Sequence, residues 1–252
     1  MGNKIAFIII YIIAFASTLF GNERSIPTIS TFKKNPNHLY FGPEIFAFDL
    51  DTNFKDVGIH GTKFFMGLRL GYEYLKPNAF YFGIDLMGAA GIHGFHETFK
   101  RFHVPRNHGT TGFVNFELRF GYTLMTDRWL ATSYFCNGAY VYGNGCHDHY
   151  IDGGMSYLGG GVRSLYEVSR AFNVGLNAKI FASIYTNDKF KFLRIKRSNH
   201  HGQWGGELGV PLIWYPGSHK RWDIQLEPYF LKLDFSQVQN IYGLRLLFGY
   251  HF

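Results

Sequence analysis

The end of the chain shows the clearest pattern of hydrophobic and polar positions. From residue 242 to residue 252, large apolar side chains occupy every second position, namely Tyr242, Leu244, Leu246, Phe248, Tyr250 and Phe252. Glycine, arginine, leucine and histidine fill the positions between them. Because successive side chains of a strand point to opposite faces, this period of two predicts a β-strand with one apolar face and one mixed face.

The same period of two recurs along the chain and predicts ten strands. They cover residues 39–50, 62–75, 79–90, 112–124, 129–142, 156–168, 172–186, 203–214, 221–233 and 241–252. Helical periodicity is absent throughout. The segment 129–142 lacks a clear inner face, so the pattern leaves its register open.

The connections between these strands are short and long in turn. Short ones lie at 76–78, 126–128, 169–171 and 216–220, whereas longer ones cover about 51–61, 91–111, 143–155 and 187–202, with a small one near Ser236. Short turns on one side and longer loops on the other are typical of barrels in the bacterial outer membrane. An even number of strands places both chain ends on the side of the short turns.

Aromatic residues, 19% of the chain, are concentrated beside both kinds of connection. Trp129, Trp222 and Tyr250 lie near short turns, and Phe113 and Tyr157 lie near long loops. This placement predicts two aromatic girdles around an outward apolar band. The mean hydropathy of -0.09 is compatible with a membrane barrel. In such a barrel, polar positions that face the lumen alternate with apolar positions that face lipid, so the average stays near zero.

The alternation that ends in Tyr250 and Phe252 resembles the C-terminal assembly signal of bacterial outer-membrane β-barrel proteins. The chain is therefore similar to the small up-and-down outer-membrane barrels. The resemblance implies an all-β fold, with a single closed antiparallel transmembrane barrel of about ten strands over residues 39–252. It also implies that the protein is located in the outer membrane. The expected partners are membrane lipid, lipopolysaccharide and the barrel assembly machinery, and no nucleic-acid partner is expected.

The N-terminal region has the order of a secretory signal peptide. Lys4 precedes an apolar run over 5–15, and the small residues Ala14 and Ala16 stand two apart at its end, before Ser17. Cleavage after Ala16 or after Gly21 fits, which gives a signal peptide over 1–21 and a periplasmic lead over 22–38. An uncleaved anchor is less favoured, because spanning a bilayer takes about 20 apolar residues.

The inward positions of the predicted strands carry charges at the middle of the barrel. Five are acidic and five are basic: Glu44, Arg69, Asp85, Glu117, Arg119, Arg163, Lys179, Glu207, Glu227 and Arg245. Neighbouring strands bring opposite charges together, and the expected pairs are Arg69 with Asp85, Lys179 with Glu207, and Arg245 with both Glu227 and Glu44. Wide channels belong to barrels of about 16 strands or more, so the sequence predicts a plugged lumen.

Two of the long loops are rich in cations and account for much of the net charge of +7. Their lysines and arginines are Lys100, Arg101 and Arg106 in one loop and Lys189, Lys191, Arg194, Lys196 and Arg197 in the other. Facing an anionic lipopolysaccharide layer, such side chains pair with phosphates. Attraction by charge needs no shaped pocket, and we prefer that interpretation.

Histidine and cysteine residues invite two further interpretations. Cys146, His147 and His149 are close in sequence, but they supply two metal ligands at best, and zinc requires three or four. The sequence therefore predicts no metal and no cofactor. Cys136 and Cys146 are the only cysteines, and an oxidising compartment allows a disulfide between them, with its geometry left open.

Comparison with outer-membrane barrel enzymes gives no catalytic motif. Omptin proteases also have ten strands and use acidic residues and histidine at the outer rim, where this chain offers Asp49 with Asp51 and Asp148 with His149. The residues around these pairs do not match the omptin motifs. An omptin-like protease is therefore a less favoured alternative.

Lipid A deacylases and the outer-membrane phospholipase place a histidine two residues before a serine that is followed by asparagine. Ser198 and Asn199 have Lys196 at that upstream position, so the motif is incomplete. The favoured function is a non-enzymatic barrel with a structural or surface-interaction role. A narrow porin-like channel is the alternative, followed by an outer-membrane enzyme.

Overall fold

The computed structural model describes residues 29–54, 57–91, 111–126, 128–144, 151–190, 195–198, 203–216, 221–234 and 238–252. The predicted signal peptide, 1–21, lies outside the described residues, as does the first part of the predicted lead. The rest of that lead contains a short helix, α1 (Ile29–Lys34), which the strand periodicity does not indicate. Within these ranges, no helix has the length and apolar character needed to cross a membrane.

All the other elements are β-strands. They are β1 (Asn37–Phe54), β2 (Val57–Leu75), β3 (Ala79–Gly91), β4 (Thr111–Met125), β5 (Trp129–Asn144), β6 (Ile151–Ser169), β7 (Phe172–Phe190), β8 (Ile195–Ser198), β9 (Trp204–Gly209), β10 (Leu212–Trp214), β11 (Trp222–Asp234) and β12 (Val238–His251). Each pairs antiparallel with its neighbours, and β12 pairs with β1, which closes the sheet into an up-and-down barrel. The predicted fold class is confirmed.

The eighth strand of the wall consists of two pieces, β9 and β10, separated by Val210 and Pro211. Pro211 has no backbone N–H, so it cannot donate to a sheet ladder. The gap is bridged by the Val210 N–H, which donates to the Pro228 carbonyl at 3.0 Å, and by the Gly175 N–H, which donates to the Pro211 carbonyl at 2.7 Å. β8 pairs with the end of β7. The wall therefore has ten strand positions, as the sequence predicts.

The outer surface of the barrel is apolar. On β2 the outward side chains Phe64, Met66, Leu68 and Leu70 are more than half exposed, whereas Arg69 between them is buried. The outward positions of β2 continue to Tyr74, ten residue steps after Phe64, and ten steps of about 3.4 Å, tilted by about 40°, rise by about 26 Å. That height matches the apolar band of about 25 Å that covers outer-membrane barrels.

The two ends of the barrel differ. The turn end carries the short connections, such as the one at 76–78, where Asn78 adopts a left-handed conformation with φ 53°. Asparagine tolerates that conformation better than most residues do. Asn37 and Phe252 meet at the same end, where the Phe252 N–H donates to the Asn37 carbonyl at 2.9 Å. The opposite end, from which the predicted long loops emerge, is called the loop end below.

Candidate functional site

The structure brings the ten predicted lumen charges together in the middle of the barrel. Nearly all of them are buried, and every strand position of the wall except β5 contributes at least one. The strand-to-strand pairs named from the sequence are in contact: Arg69 with Asp85, Lys179 with Glu207 at 3.0 Å, Arg245 with Glu227 at 3.4 Å, and Arg245 with Glu44 at 3.3 Å. Every second residue of a strand points into the lumen, and each of these charged residues occupies such an inward position.

Further ion pairs connect these pairs into one network. Lys179 Nζ lies 2.6 Å from Glu117 Oε2, in addition to its contact with Glu207. Arg245 Nη2 lies 2.7 Å from Glu207 Oε1. An unpaired buried charge is strongly unfavourable, so a network in which acids and bases alternate is the arrangement that this interior tolerates.

Glu73 is a central member of the network that the charge pattern alone does not single out. Its carboxylate is fully buried, contacts Arg163 and lies 3.1 Å from Arg119 Nη1. The Tyr81 hydroxyl donates to Glu73 Oε1 at 2.9 Å. Glu73 has the same strand parity as Arg69, four residues earlier, and that parity is the signal that would have found it.

Tyrosine hydroxyls donate further hydrogen bonds to the carboxylates. The Tyr40 hydroxyl donates to Asp85 Oδ2 at 2.6 Å, and the Tyr157 hydroxyl donates to Glu117 Oε2 at 2.6 Å. Glycines on the inner wall give these rings space, since a Cβ at Gly71 would overlap the Tyr40 ring. The lumen thus packs aromatic rings between its charges.

A layer of aromatic rings fills the lumen towards the loop end. Phe46 stacks on Phe65 with 4.9 Å between ring centroids, and Tyr157 packs against Phe181 at 4.7 Å. Phe113 contacts Phe46 at 5.4 Å. The expectation that Phe113 and Tyr157 belong to an outer girdle is wrong, because both point into the lumen and are 1% and 0% exposed.

The space left inside the charged layer is small. A cavity of about 60 Å³ lies among the network residues, with Arg69, Glu117, Arg163 and Arg245 in its lining. One water molecule needs about 10–15 Å³ by this measure. The layer therefore has room for a few waters.

A third layer of inward side chains lies at the turn end. His38, Asp223 and His251 are buried there on three adjacent strands. The ring of Phe32, from α1, stands edge-on to the His251 ring at 5.0 Å. Part of the predicted lead therefore packs into the barrel mouth.

Most of the cationic loop residues named from the sequence lie outside the described residues. They are Lys100, Arg101, Arg106, Lys191 and Arg194. For Lys189, Lys196 and Arg197 the structure describes the backbone, which pairs Lys189 of β7 with Lys196 of β8. Headgroup binding by these residues stays a prediction.

The other candidate residues are only partly covered. Asp49 accepts a hydrogen bond from Thr62 on the next strand. Asp148 and His149 lie outside the described residues, and so does Cys146. Cys136 is buried in the wall, so its pairing with Cys146 also stays a prediction.

The closed antiparallel sheet, with its apolar exterior and charged interior, places this protein in the structural class of closed up-and-down β-barrels. No family model matches the sequence, and no curated protein matches it. Among solved structures, the outer membrane protease OmpT from Escherichia coli has a TM-score of 0.56 and 10% identity, covering 87% of this chain and 97% of that chain. The translocator domain of the autotransporter NalP from Neisseria meningitidis has a TM-score of 0.49 and 12% identity, covering 86% and 88%. At this identity, the likeness to OmpT supports the fold alone.

Proposed function

We propose that this protein is an integral outer-membrane β-barrel with a closed, non-conducting lumen. The apolar outer band, with the height of an outer-membrane barrel, supports that location. The expected signal peptide over 1–21 and the alternation of short turns with long loops support it from the sequence. No catalytic motif is recognised, so catalysis forms no part of the proposal.

The observation that carries the closed lumen is its filling by side chains at three depths. Aromatic rings around Phe46 and Phe113 occupy the loop side, ion pairs occupy the middle, and His38 with His251 occupies the turn side. Permeation of an ion would require the middle layer to break several buried ion pairs. A narrow porin-like channel is therefore the less favoured function.

The proposed role is structural or surface-interacting, through the long loops. Their lysines and arginines form two dense groups, which favour contact with the phosphates of lipopolysaccharide. The strand that ends in Phe252 is proposed to serve the barrel assembly machinery. Both partners follow from the sequence pattern.

Conductance of the purified protein in planar lipid bilayers tests the closed lumen. We expect no steady current from the wild-type protein. A variant truncated at all three depths, by Phe113→Ala and Phe181→Ala at the loop side, Arg245→Ala in the middle, and Phe32→Ala with His251→Ala at the turn side, should give measurable openings. Such openings show that inserted barrels are detected. Phe135→Ala is the matched control, because Phe135 is 79% exposed on the outer face, and it should stay silent. Reproducible single-channel steps from the wild type would replace this proposal with the narrow channel.

A further inference from the structure

Two histidines and one aspartate converge at the turn end of the lumen, on β1, β11 and β12. His38 and His251 are directly opposite in the register of the closing strand pair. Their rings are stacked, with 4.2 Å between centroids and 6° between planes. The Nε2 atoms of both rings lie 2.9 Å from the same oxygen, Asp223 Oδ2.

We propose that His38, Asp223 and His251 bind a divalent transition-metal ion of the zinc class. Imidazole nitrogen and carboxylate oxygen are the ligands that zinc prefers apart from thiolate. Around a tetrahedral zinc ion, ligand atoms at about 2.0–2.1 Å from the metal are about 3.3 Å apart from one another. One ligand atom from each residue lies within 4.8 Å of the others here, so side-chain movements of up to about 1.5 Å, with a rotation of the stacked imidazole rings, bring the three atoms to that spacing.

The histidine nitrogens give the first independent support. Among the described residues, Nδ1 of His251 has no hydrogen-bond partner, and Nδ1 of His38 has only Glu73 Oε2 at 3.7 Å, beyond hydrogen-bond length. Both side chains are at least nine-tenths buried. Buried polar atoms without a partner are rare and unfavourable, and an ion held beside Asp223 would give one of these nitrogens the bond it lacks.

Charge gives the second support. The six network carboxylates, Glu44, Glu73, Asp85, Glu117, Glu207 and Glu227, each form an ion pair with arginine or lysine. Among the described ion pairs, Asp223 has only the two imidazoles as partners. A buried carboxylate needs a compensating positive charge, and an imidazole supplies one only when it is protonated. A bound divalent cation supplies that charge without a proton.

Space around the three side chains gives the third support. Gly249 lies on the inner face of β12, where a Cβ would overlap His38 Nε2 and Asp223 Oδ2. The absence of a side chain there lets these two atoms approach. Glu73 Oε2, 3.7 Å from His38 Nδ1, is placed to orient the imidazole from behind, as carboxylates do in many zinc sites.

An ion at this place would join the first strand of the barrel to the last two. β1 and β12 form the pair that closes the sheet, and β11 is the next strand. The α1 ring of Phe32 covers the cluster from the turn side. The site is therefore suited to a structural ion that fastens the closure of the barrel.

Binding of Co²⁺ and Zn²⁺ to the full chain, refolded in detergent micelles and stripped of metal, tests the proposal. We expect one Co²⁺ per chain with the strong visible bands of a low-coordinate site, displacement by Zn²⁺, and a higher melting temperature with metal. Asp223→Asn and His38→Gln should each weaken binding by 100-fold or more. His96→Gln and His149→Gln are the controls, because these histidines belong to the predicted loops, and they should leave the bands unchanged.

Equal binding by folded Asp223→Asn and wild-type protein would overturn the proposal, as would a melting temperature that metal does not change. Should the variants fail to fold, X-ray absorption of wild-type protein with one equivalent of Zn²⁺ decides. Two imidazoles with oxygen ligands support the site. Three or more imidazoles would assign the ion to the loop histidines instead and would also overturn it.

Discussion

The guanidinium carbon of Arg245 lies 3.8 Å from the centre of the Tyr229 ring. Arg245 also lies 3.3 Å from Glu44, and the Tyr229 hydroxyl donates to the same carboxylate. Arg69 Nε donates to Glu44 from the other side at 2.6 Å. Glu44 is therefore the acceptor that ties the closing strands to β2 within the lumen.

Glu44→Gln should destabilise the barrel by about 3–5 kcal/mol, because Arg69 and Arg245 lose the buried carboxylate that they share. Urea unfolding in lipid vesicles measures the loss. Asp49→Asn is the matched control, since Asp49 bonds Thr62 at a more exposed place near the loop end. It should cost about 1 kcal/mol or less. Equal losses at the two positions would contradict a central role for Glu44.

The lipid-facing assignment of β2 predicts a dependence on depth. Leu68 is 69% exposed near the middle of the outer band, and Leu124 is 60% exposed beside a short turn. Leu68→Arg should cost about 2–4 kcal/mol, because arginine at the midplane of lipid is poorly solvated, whereas Leu124→Arg should cost about 0–1 kcal/mol near the interface. The same vesicle titration compares the two variants. Similar costs would show that Leu68 does not face the membrane core.

Much of the fold follows from the period of two in the sequence. The charged residues of the lumen follow from it as well. They alternate with the apolar residues of each strand, so when the apolar face is assigned to lipid, the charged face is assigned to the lumen. Arg69 and Asp85 illustrate this, since parity alone puts both inside and the hairpin between β2 and β3 brings them together.

Aromatic residues are harder to assign, because a phenylalanine or tyrosine is tolerated on either face. Phe113 lies near a long loop, which suggests a girdle, yet it shares the parity of Asn115 and points inward. β5 shows the same ambiguity, since its inner face carries Tyr134 and Tyr140 in place of charges. The convergence of His38 with His251 depends on the closing register, which no local pattern contains.

The terminal Phe252 allows assembly to be separated from stability. Its side chain is half exposed, and its backbone, not its ring, bonds to Asn37. Phe252→Ala should therefore leave the stability of refolded protein within about 1 kcal/mol, yet greatly reduce the amount of folded barrel in membranes of growing cells. Heat-modifiable migration on gels measures folding in both settings, with Phe135→Ala as the control. Normal assembly of Phe252→Ala in cells would remove the proposed signal.

The last prediction concerns the cationic loops and their binding of lipopolysaccharide. If charge alone is responsible, binding should weaken as salt rises, because the screening length falls from about 10 Å at 0.1 M to about 3 Å at 1 M. Replacing Lys100, Arg101 and Arg106 by glutamine one after another should weaken it in graded steps. Arg128→Gln with Arg221→Gln is the control, because these exposed arginines lie at the turn end, and it should leave binding unchanged. Binding that ignores salt, or that disappears with a single substitution, would require a shaped site in place of general attraction.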